Sequence, residues 1–413
     1  QKGKEMKKVL FAVLVVILAW VGVCAAFAGT FSFDLVPTEP LYKESISDPY
    51  AFLSSIHLML IPKAEDNEFK INALVQDTST KEVFYDDFYY RNPRKASENL
   101  YINMKLAGSA SLFRVRFNGM NWVPSIDLDL NLSGYLNTVF WLYGANDTLD
   151  FDGSFMVAGN LRVADRVTLR FGIHHFSGHY GDETLEDFYA FNKVDFNNNA
   201  TINNYTGSKN VAGHSYRLLS PTEYVRDNSW LIGLQAQLPY GFRVYGECEI
   251  PQKDAWIRPF IHVPADYTNP ATGKAEDESS IHRSGNGEGA GQQPGLIDDE
   301  ESQKRGSGYM ALRVHGGIEY TLGLSWANVI VSADVQAHQD GQNRNVDGRH
   351  DLLSYSPDNM WEFEYTVGAA LELKQKIGNS NVRLEAFYHV GRVPATQWFY
   401  KTGSFIYVGL GLN

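Results

Sequence analysis

Apolar and polar residues alternate along much of the chain after residue 100. The alternation is plainest in segment 125–134, where one row is Ile126, Leu128, Leu130 and Leu132 and the other is Asp127, Asp129, Asn131 and Ser133. Successive side chains of a β-strand point to opposite faces, so this pattern predicts strands with one apolar and one polar face. The same alternation recurs over residues 242–250, 310–320, 329–337, 361–373 and 382–389.

Alternation alone fits a soluble sandwich of two sheets as well as a membrane barrel. The lengths of the connections between strands distinguish the two folds. Short connections near 118–124, 164–166, 239–241, 321–326 and 375–380 alternate with longer ones near 143–149, 181–215, 253–307, 339–359 and 393–403. Outer-membrane barrels have this rhythm of short periplasmic turns and long outer loops. We therefore predict an all-β fold, an antiparallel transmembrane β-barrel of about 12 strands, with a soluble periplasmic sandwich as the alternative.

The first 28 residues predict an export signal. Lys7 and Lys8 precede an apolar run over residues 9–20, and Ala26 and Ala28 supply the small residues of a cleavage site. Two alternatives stay open, because the apolar run is long enough to remain as a membrane anchor and Cys24 could carry a lipid. Export and the barrel pattern together predict the outer membrane of a bacterium with two membranes.

Residues 29–98 lack clear alternation and contain Pro37, Pro40, Pro49 and Pro62. Proline cannot donate a backbone hydrogen bond, so it is rare inside sheets. We predict that this segment is an irregular periplasmic extension or a plug. The predicted order is a signal peptide over 1–28, the extension over 29–98 and the barrel over 99–413.

Composition narrows the classes of partner. The chain has 36 Lys and Arg against 48 Asp and Glu, and its net charge of −12 disfavours a nucleic-acid binder. Only two cysteines occur, which excludes a disulfide framework. The expected partners are outer-membrane lipids and the barrel assembly machinery, although the chain ends in Leu412 and Asn413 rather than in the aromatic residue common in such barrels. The oligomeric state is not indicated.

The polar rows of the predicted strands would line the barrel interior. Their charged residues are Asp127, Asp129, Arg170, Arg243, Glu247, Glu249, Arg313, Glu319, Asp334, Glu362, Glu364, Arg383 and Glu385. Opposite charges at this density could pair into a network that blocks the interior, or could line a narrow, selective pore. Both a structural barrel and a narrow transport barrel are therefore kept as interpretations.

His175 and Ser177 are the candidate catalytic residues. The apolar row of strand 167–173 continues, with period two, through these two side chains and His179. An imidazole beside a hydroxyl can accept its proton and so activate it as a nucleophile. An outer-leaflet lipid hydrolase would need such a pair at the outer end of a strand. The alternative is that both are ordinary residues of the membrane interface.

The sequence predicts no metal site and no resident cofactor. His174, His175 and His179 with Asp182 offer metal-binding groups, but the two rows of the strand would place them on opposite sides of the barrel wall. Calcium is expected only if the protein is a hydrolase.

The His-x-Ser arrangement of His175 and Ser177 resembles the active strands of outer-membrane phospholipase A and of lipid A deacylase barrels. The resemblance implies that Ser177 is the nucleophile, that His175 is the base and that the substrate is a lipid ester. It covers these two residues alone, since Gly178 stands where those enzymes usually carry asparagine. No third member of a catalytic triad is identified.

Four motifs also resemble a bacterial family known as domain of unknown function twelve-oh-seven. They are residues 243–246, 391–394 and 407–412 and the string of His175, Ser177, His179, Gly181, Asp182 and Glu183. The resemblance runs from about residue 37 to the C-terminus. It implies an export signal and an outer-membrane barrel, with no established activity to carry over.

Three hypotheses for function follow. The first is an outer-membrane barrel with a structural or narrow-pore transport role, and the second is the lipid hydrolase. The third is a surface-binding protein that acts through acidic outer loops, of which residues 298–301 carry the densest charge.

Overall fold

The computed structural model describes about two thirds of the chain. The described residues are 31–37, 39–63, 65–67, 69–80, 83–89, 98–118, 124–143, 148–195, 201–202, 204–205, 207, 210–225, 228–251, 258–261, 312–339, 343–344, 350–351, 361–377, 380–393 and 402–412. The predicted signal peptide, including Cys24, and the acidic run 298–301 lie outside these residues.

The structure consists of strands with one α-helix among the described residues. The strands are β1 (Phe31–Leu35), β2 (Ser54–Leu60), β3 (Lys70–Asp77), β4 (Val83–Tyr89), β5 (Leu100–Phe117), β6 (Ile126–Trp141), β7 (Thr148–Val163), β8 (Val167–Tyr180), β9 (Val194–Asp195), β10 (Thr201–Ile202), β11 (Tyr216–Val225), β12 (Asn228–Gln237), β13 (Phe242–Pro251), β14 (Arg258–Ile261), β15 (Leu312–Gly323), β16 (Ala327–Gln339), β17 (Asn343–Arg344), β18 (His350–Asp351), β19 (Trp361–Ile377), β20 (Ser380–Arg392) and β21 (Thr402–Leu412). The helix α1 spans Asp182–Phe191, and two short 3-10 turns span Glu65–Asn67 and Pro239–Gly241.

Twelve antiparallel strands close into a barrel. Their order is β5, β2, β21, β20, β19, β16, β15, β13, β12, β8, β7 and β6, and β6 pairs with β5 to complete the ring. The prediction of an all-β, antiparallel barrel of about 12 strands is confirmed. A thirteenth strand, β1, pairs outside the ring with the last residues of β5, from Phe31 opposite Phe117 to Leu35 opposite Phe113.

The twelfth strand of the ring is β2, which lies between β21 and β5. The barrel sheet therefore begins at Ser54, and the predicted boundary at residue 99 lies too late in the chain. The strand is only seven residues long, and its inward row of Ser55, His57 and Met59 mixes polar and apolar side chains. Ile56 and Leu58 are exposed, whereas Met59 is buried beside His57.

The outward rows form an apolar surface that suits a bilayer. Exposed aliphatic side chains occur along the whole length of the strands, and exposed aromatic residues are found at both ends as well as mid-strand, as at Phe155. Tyr240 and Trp326 lie at the end with the short connections, here called the turn end. Trp361 and Phe363 lie near the other end, here called the loop end, which carries the long connections.

Within the described part of the chain, no helix combines the length and apolar character that a membrane-crossing helix requires.

A second sheet lies at the loop end, in the order β4, β3, β11, β10 and β9, with β14 also paired to β11. It is built from residues between β2 and β5 and from the connection between β8 and β12, which also contains α1. Phe88, Phe188 and Leu218 of this region join one buried apolar cluster with Met59 and Tyr101 of the barrel strands. The second sheet is thus packed onto the barrel.

Residues 41–53, here called the inner segment, fold into the barrel interior between β1 and β2. Tyr42, Ser47 and Phe52 are buried there. Tyr50 and Phe52 pack in a second apolar cluster with the barrel residues Tyr135, Met156, Ala158, Phe176 and Leu231. The inner segment therefore fills part of the interior that a barrel of this size would otherwise leave open.

Candidate functional site

The barrel interior is lined by charged side chains from the polar rows of the strands. The predicted lining residues that the structure buries on inward rows are Asp127, Asp129, Arg170, Arg243, Glu249, Arg313, Glu319, Asp334, Glu364, Arg383 and Glu385. Glu247 is half-buried, and the side chain of Glu362 lies outside the description. The burial of these side chains follows the period-two pattern, although the pairing register shifts between Ser111 and Phe113 of β5 and between Glu372 and Lys376 of β19.

Arg170 connects the barrel wall to the inner segment. Its guanidinium lies 2.9 Å from Glu44 and 3.5 Å from Glu247, and its carbon centre is 3.8 Å from the centre of the Tyr42 ring. Arg170 is only 2% exposed. A buried guanidinium is stable only when carboxylates and aromatic faces replace its water, and two of these three partners, Tyr42 and Glu44, come from the inner segment.

Arg313 makes a second connection of the same kind. It donates to Glu249 of β13 at 2.5 Å and to Asp48 of the inner segment at 3.1 Å. The ring of Tyr50 lies beside it, 4.5 Å from the guanidinium carbon. Asp48 also accepts a hydrogen bond of 3.4 Å from the amide of Gln336.

Main-chain groups of the inner segment are bound by the wall as well. Arg243 donates to the carbonyl of Glu44 at 3.0 Å and to the carboxylate of Glu319 at 2.8 Å. The Gln235 side chain donates to the Leu41 carbonyl at 3.0 Å and accepts from the Lys43 N–H at 3.2 Å. The wall therefore binds main-chain groups of the inner segment as well as its side chains.

Carboxylates near the turn end are paired within the wall itself. Asp127 accepts hydrogen bonds from Arg116 at 2.6 Å and from Arg162 at 3.0 Å. Asp129 accepts from Asn160 at 2.7 Å and also from the backbone N–H of Leu41 at 3.1 Å. These pairs close the interior next to the entry of the inner segment.

A small cavity of about 70 Å³ remains beside the inner segment, between β2, β5 and β19 to β21. His57 and Glu385 line it and lie 2.9 Å apart. Lys105 also lines it and donates to the carbonyl of Pro49 at 2.5 Å. The remaining space has charged groups together with the rings of Phe387 and Tyr407 on its barrel side, and the inner segment closes its other side.

The structure places His175 and Ser177 towards the loop end of β8, where His175 lies opposite Asn228 of β12. They continue the outward row of Leu169 and Phe171, and both are half-buried. The His175 ring lies 4.8 Å from the ring of the exposed Phe155. Their placement on the outward face agrees with the sequence pattern, but their chemical role stays a prediction.

The rest of the predicted motif runs from β8 into α1. Gly181 is the residue before the helix, and a Cβ there would lie 2.0 Å from the Thr148 carbonyl oxygen, so the chain passes too close for a side chain. The structure does not describe the side chains of His179, Asp182 and Glu183.

Sequence reasoning did not identify Glu44, Asp48 and His315 as interior residues. Glu44 and Asp48 belong to the irregular segment, where no periodicity shows which side chains face the wall. His315 follows the inward row of β15 and could have been found from the alternation with Arg313.

Comparison with protein families found no matching family model, and comparison with curated proteins found no match. The resemblance to domain of unknown function twelve-oh-seven is therefore not supported by a family model.

Similar solved structures are outer-membrane barrels. Outer membrane phospholipase from Salmonella typhi, a dimer with bound calcium, is 12% identical over 90% of this chain and 95% of its own, with a TM-score of 0.38. Outer membrane phospholipase A from Escherichia coli is 10% identical over 87% and 90%, with a TM-score of 0.37. An outer membrane channel from Pseudomonas putida F1 is 11% identical over 91% and 98%, with a TM-score of 0.31. The chain itself forms a closed antiparallel β-barrel that is apolar on the outside and charged on the inside.

Proposed function

We propose that the protein is a narrow transport barrel whose pathway is closed by the inner segment. The observation that carries this proposal is the way the segment is held, by ion pairs such as Glu44 with Arg170 and Asp48 with Arg313. Buried ion pairs rarely stabilise a fold more than well-packed apolar residues of similar volume would. A charged wall is therefore better suited to an interior that fills with water when the segment moves.

The expected solutes are small and polar. Twelve strands enclose a narrow interior, and the remaining cavity is lined by His57, Lys105 and Glu385. Both signs of charge are present, so the wall would favour hydrophilic solutes over hydrophobic ones without strongly selecting one charge.

The experiment is conductance in planar bilayers. The full barrel is compared with a variant in which residues 41–52 are replaced by a short glycine–serine linker. We expect low conductance for the wild type and a severalfold larger, stable conductance for the linker variant. Folding of both proteins is checked by heat-modifiable migration on gels, which reports the closed barrel.

Glu44→Gln tests one of these ion pairs, and Glu39→Gln is its matched control. Both remove one negative charge from the same stretch, but Glu39 is exposed whereas Glu44 contacts Arg170 in the interior. We expect more frequent opening for Glu44→Gln and unchanged traces for Glu39→Gln. A folded linker variant that conducts no better than the wild type would contradict the proposal and leave a structural barrel.

A second candidate function is an outer-leaflet lipid hydrolase, with lipid esters as substrates. The observation that favours it is the placement of His175 and Ser177 on the lipid-facing row near the loop end of β8. The proposed roles are Ser177 as nucleophile and His175 as its base, with calcium as an ion that such a reaction could require.

This candidate is tested by fatty-acid release from phospholipid and lipid A vesicles, with and without calcium. We expect release by the wild type that Ser177→Ala and His175→Ala abolish, whereas Ser154→Ala on the inward row of β7 retains it. Absence of release under every condition would remove this candidate without affecting the transport proposal.

Export and assembly follow from either function. The N-terminal signal over 1–28 would direct the chain out of the cytoplasm, and the barrel assembly machinery would insert it with the turn end in the periplasm. Binding through the acidic run 298–301 stays a third proposal, which loop deletion would test.

A further inference from the structure

Asp48, His315 and Asp334 form a cluster between the inner segment and the barrel wall. One potential ligand atom from each residue lies within 4.8 Å of the other two. Asp334 of β16 lies opposite Gly317, two residues along β15 from His315, so both side chains enter from the same inward face. Asp48 approaches them from the inner segment.

Asp334 has one oxygen in use and one oxygen without a partner. Its Oδ2 accepts a hydrogen bond of 2.6 Å from the Tyr245 hydroxyl and lies 3.2 Å from Nδ1 of His315. Its Oδ1 has no hydrogen-bond partner among the described residues. Water cannot easily reach this atom, because Asp334 is only 1% exposed. A buried carboxylate oxygen without a partner is costly, so this atom points to a missing ligand.

Asp48 is held in place by one of its oxygens. Its Oδ1 accepts from the Tyr50 N–H at 3.0 Å, from Arg313 at 3.1 Å and from Gln336 at 3.4 Å. These three donors orient the carboxylate. Oδ2 of Asp48 accepts no hydrogen bond from the described residues, so it can bind a ligand.

The charge around the cluster is also unbalanced. This part of the described interior carries more carboxylates than permanent cations. The six carboxylates are those of Glu44, Asp48, Glu247, Glu249, Glu319 and Asp334, and the four cations are Lys105, Arg170, Arg243 and Arg313. An added cation would reduce the repulsion among these carboxylates.

We propose that Asp48, His315 and Asp334 bind a divalent transition-metal ion that joins the inner segment to the barrel wall. One imidazole with two carboxylates suits Zn²⁺ or Mn²⁺ better than Ca²⁺, which prefers oxygen ligands alone. The Tyr245 hydroxyl holds Asp334 in the way that outer-shell groups orient metal ligands. A bound ion would add a cross-link between Asp48 and strands β15 and β16.

The competing arrangement needs no metal. His315 lies between Asp334 and Glu247, with Nε2 at 3.7 Å from the Glu247 carboxylate, and a protonated ring there would bridge the two carboxylates. Both arrangements use the same residues, so binding has to be measured directly.

The test is titration of Zn²⁺ into the full-length, tag-free protein refolded in detergent and stripped of metal. We expect one Zn²⁺ per chain by calorimetry and at least about tenfold weaker binding for Asp48→Asn, His315→Gln and Asp334→Asn. Tyr245→Phe should weaken binding by about 10–100-fold, as loss of an outer-shell group does. The matched control is His389→Gln, which removes another buried interior histidine that bonds Thr366 on the far side of the cavity.

Zinc-edge X-ray absorption of the loaded wild type gives a readout that does not depend on any variant folding. One imidazole with oxygen ligands is expected, whereas a sulfur ligand or several imidazoles would overturn the proposal. Absence of stoichiometric Zn²⁺ binding, or binding that Asp334→Asn leaves intact in a folded barrel, would also overturn it and favour the protonated ring. This proposal does not rest on transport, since its test uses no conductance.

Discussion

Glu44 of the inner segment accepts a hydrogen bond of 2.9 Å from Arg170 of β8, which lies 126 positions later in the chain. This contact joins a part of the chain with no regular structure to the centre of the barrel wall. Together with the contact between Asp48 and Arg313, it means that the interior is completed by residues outside the ring of strands. The stability of the closed barrel and the position of the inner segment are therefore linked.

Replacing Arg170 with alanine should destabilise the barrel by about 3–5 kcal/mol, because it leaves the carboxylates of Glu44 and Glu247 buried without their partner. The measurement is denaturant unfolding of the protein refolded in lipid vesicles. Arg166→Ala, which removes an exposed arginine from the turn between β7 and β8, should cost less than about 0.5 kcal/mol. A loss below about 1 kcal/mol for Arg170→Ala would show that the buried network is not needed for stability.

The ring of strands could be predicted from the sequence because its signal is local and repeated. Residues 126–133 alternate without a break, and the structure buries Asp127 and Asp129 as that pattern requires. The position of strand β2 could not be read from the sequence, because its inward row of Ser55, His57 and Met59 is short and mixes polar and apolar side chains.

The course of the inner segment could not be predicted, because it depends on contacts with strands hundreds of residues away. Asp48 contacts Arg313 of β15, 265 positions later in the chain, and nothing near Asp48 in the sequence identifies that partner. Pro49 lies in a stretch without strands, but a proline does not distinguish a plug from a tail.

A cysteine pair at positions 47 and 332 should form a disulfide. The Ser47 and Ser332 hydroxyls are in direct hydrogen-bond contact in the interior, so cysteines at these positions would bring their sulfur atoms close together. In a background without Cys24 and Cys248, Ser47→Cys with Ser332→Cys should migrate faster on denaturing gels unless reduced. Ser32→Cys with Ser332→Cys is the control, because Ser32 lies on β1 opposite Arg116 of β5. Failure of the first pair to cross-link under oxidising conditions would place the inner segment elsewhere.

Gly172→Ala should destabilise the barrel by about 1–3 kcal/mol through overpacking. A Cβ at Gly172 would lie 2.4 Å from the Val157 carbonyl oxygen and 2.7 Å from the Ala158 Cβ, and neither atom can move freely within the sheet. Gly108→Ala on β5 is the matched control, since nothing lies within 4 Å of its Cβ position and a change within about 0.5 kcal/mol is expected. Unfolding midpoints in denaturant compare the two, and equal effects would contradict the close packing of β7 against β8.

The second sheet should loosen in acid, because Asp77 at the end of β3 has a strongly lowered pKa. Burial raises the pKa of this carboxyl, but contacts with His214 at 2.5 Å and with the N–H groups of Ser79 and Thr80 outweigh burial and lower the pKa to about 2. In the unfolded chain the same carboxyl titrates near about 3.9, so its stabilisation is complete above that pH and is lost as the pH falls towards 2. Pepsin, which is active in this range, should therefore cleave near β3 and β11 increasingly between about pH 4 and pH 2.

Asp77→Asn is the decisive comparison for this acid transition. An amide at position 77 cannot gain or lose a proton, so cleavage near β3 and β11 should be high from pH 4 downwards and should vary little with pH. Asp165→Asn, at the opposite end of the barrel beside Arg116, should keep the wild-type profile. Fragments are identified by mass spectrometry, and cleavage is normalised to an unfolded substrate at each pH. If Asp77→Asn shows the same pH profile as the wild type, groups other than Asp77 cause the acid transition.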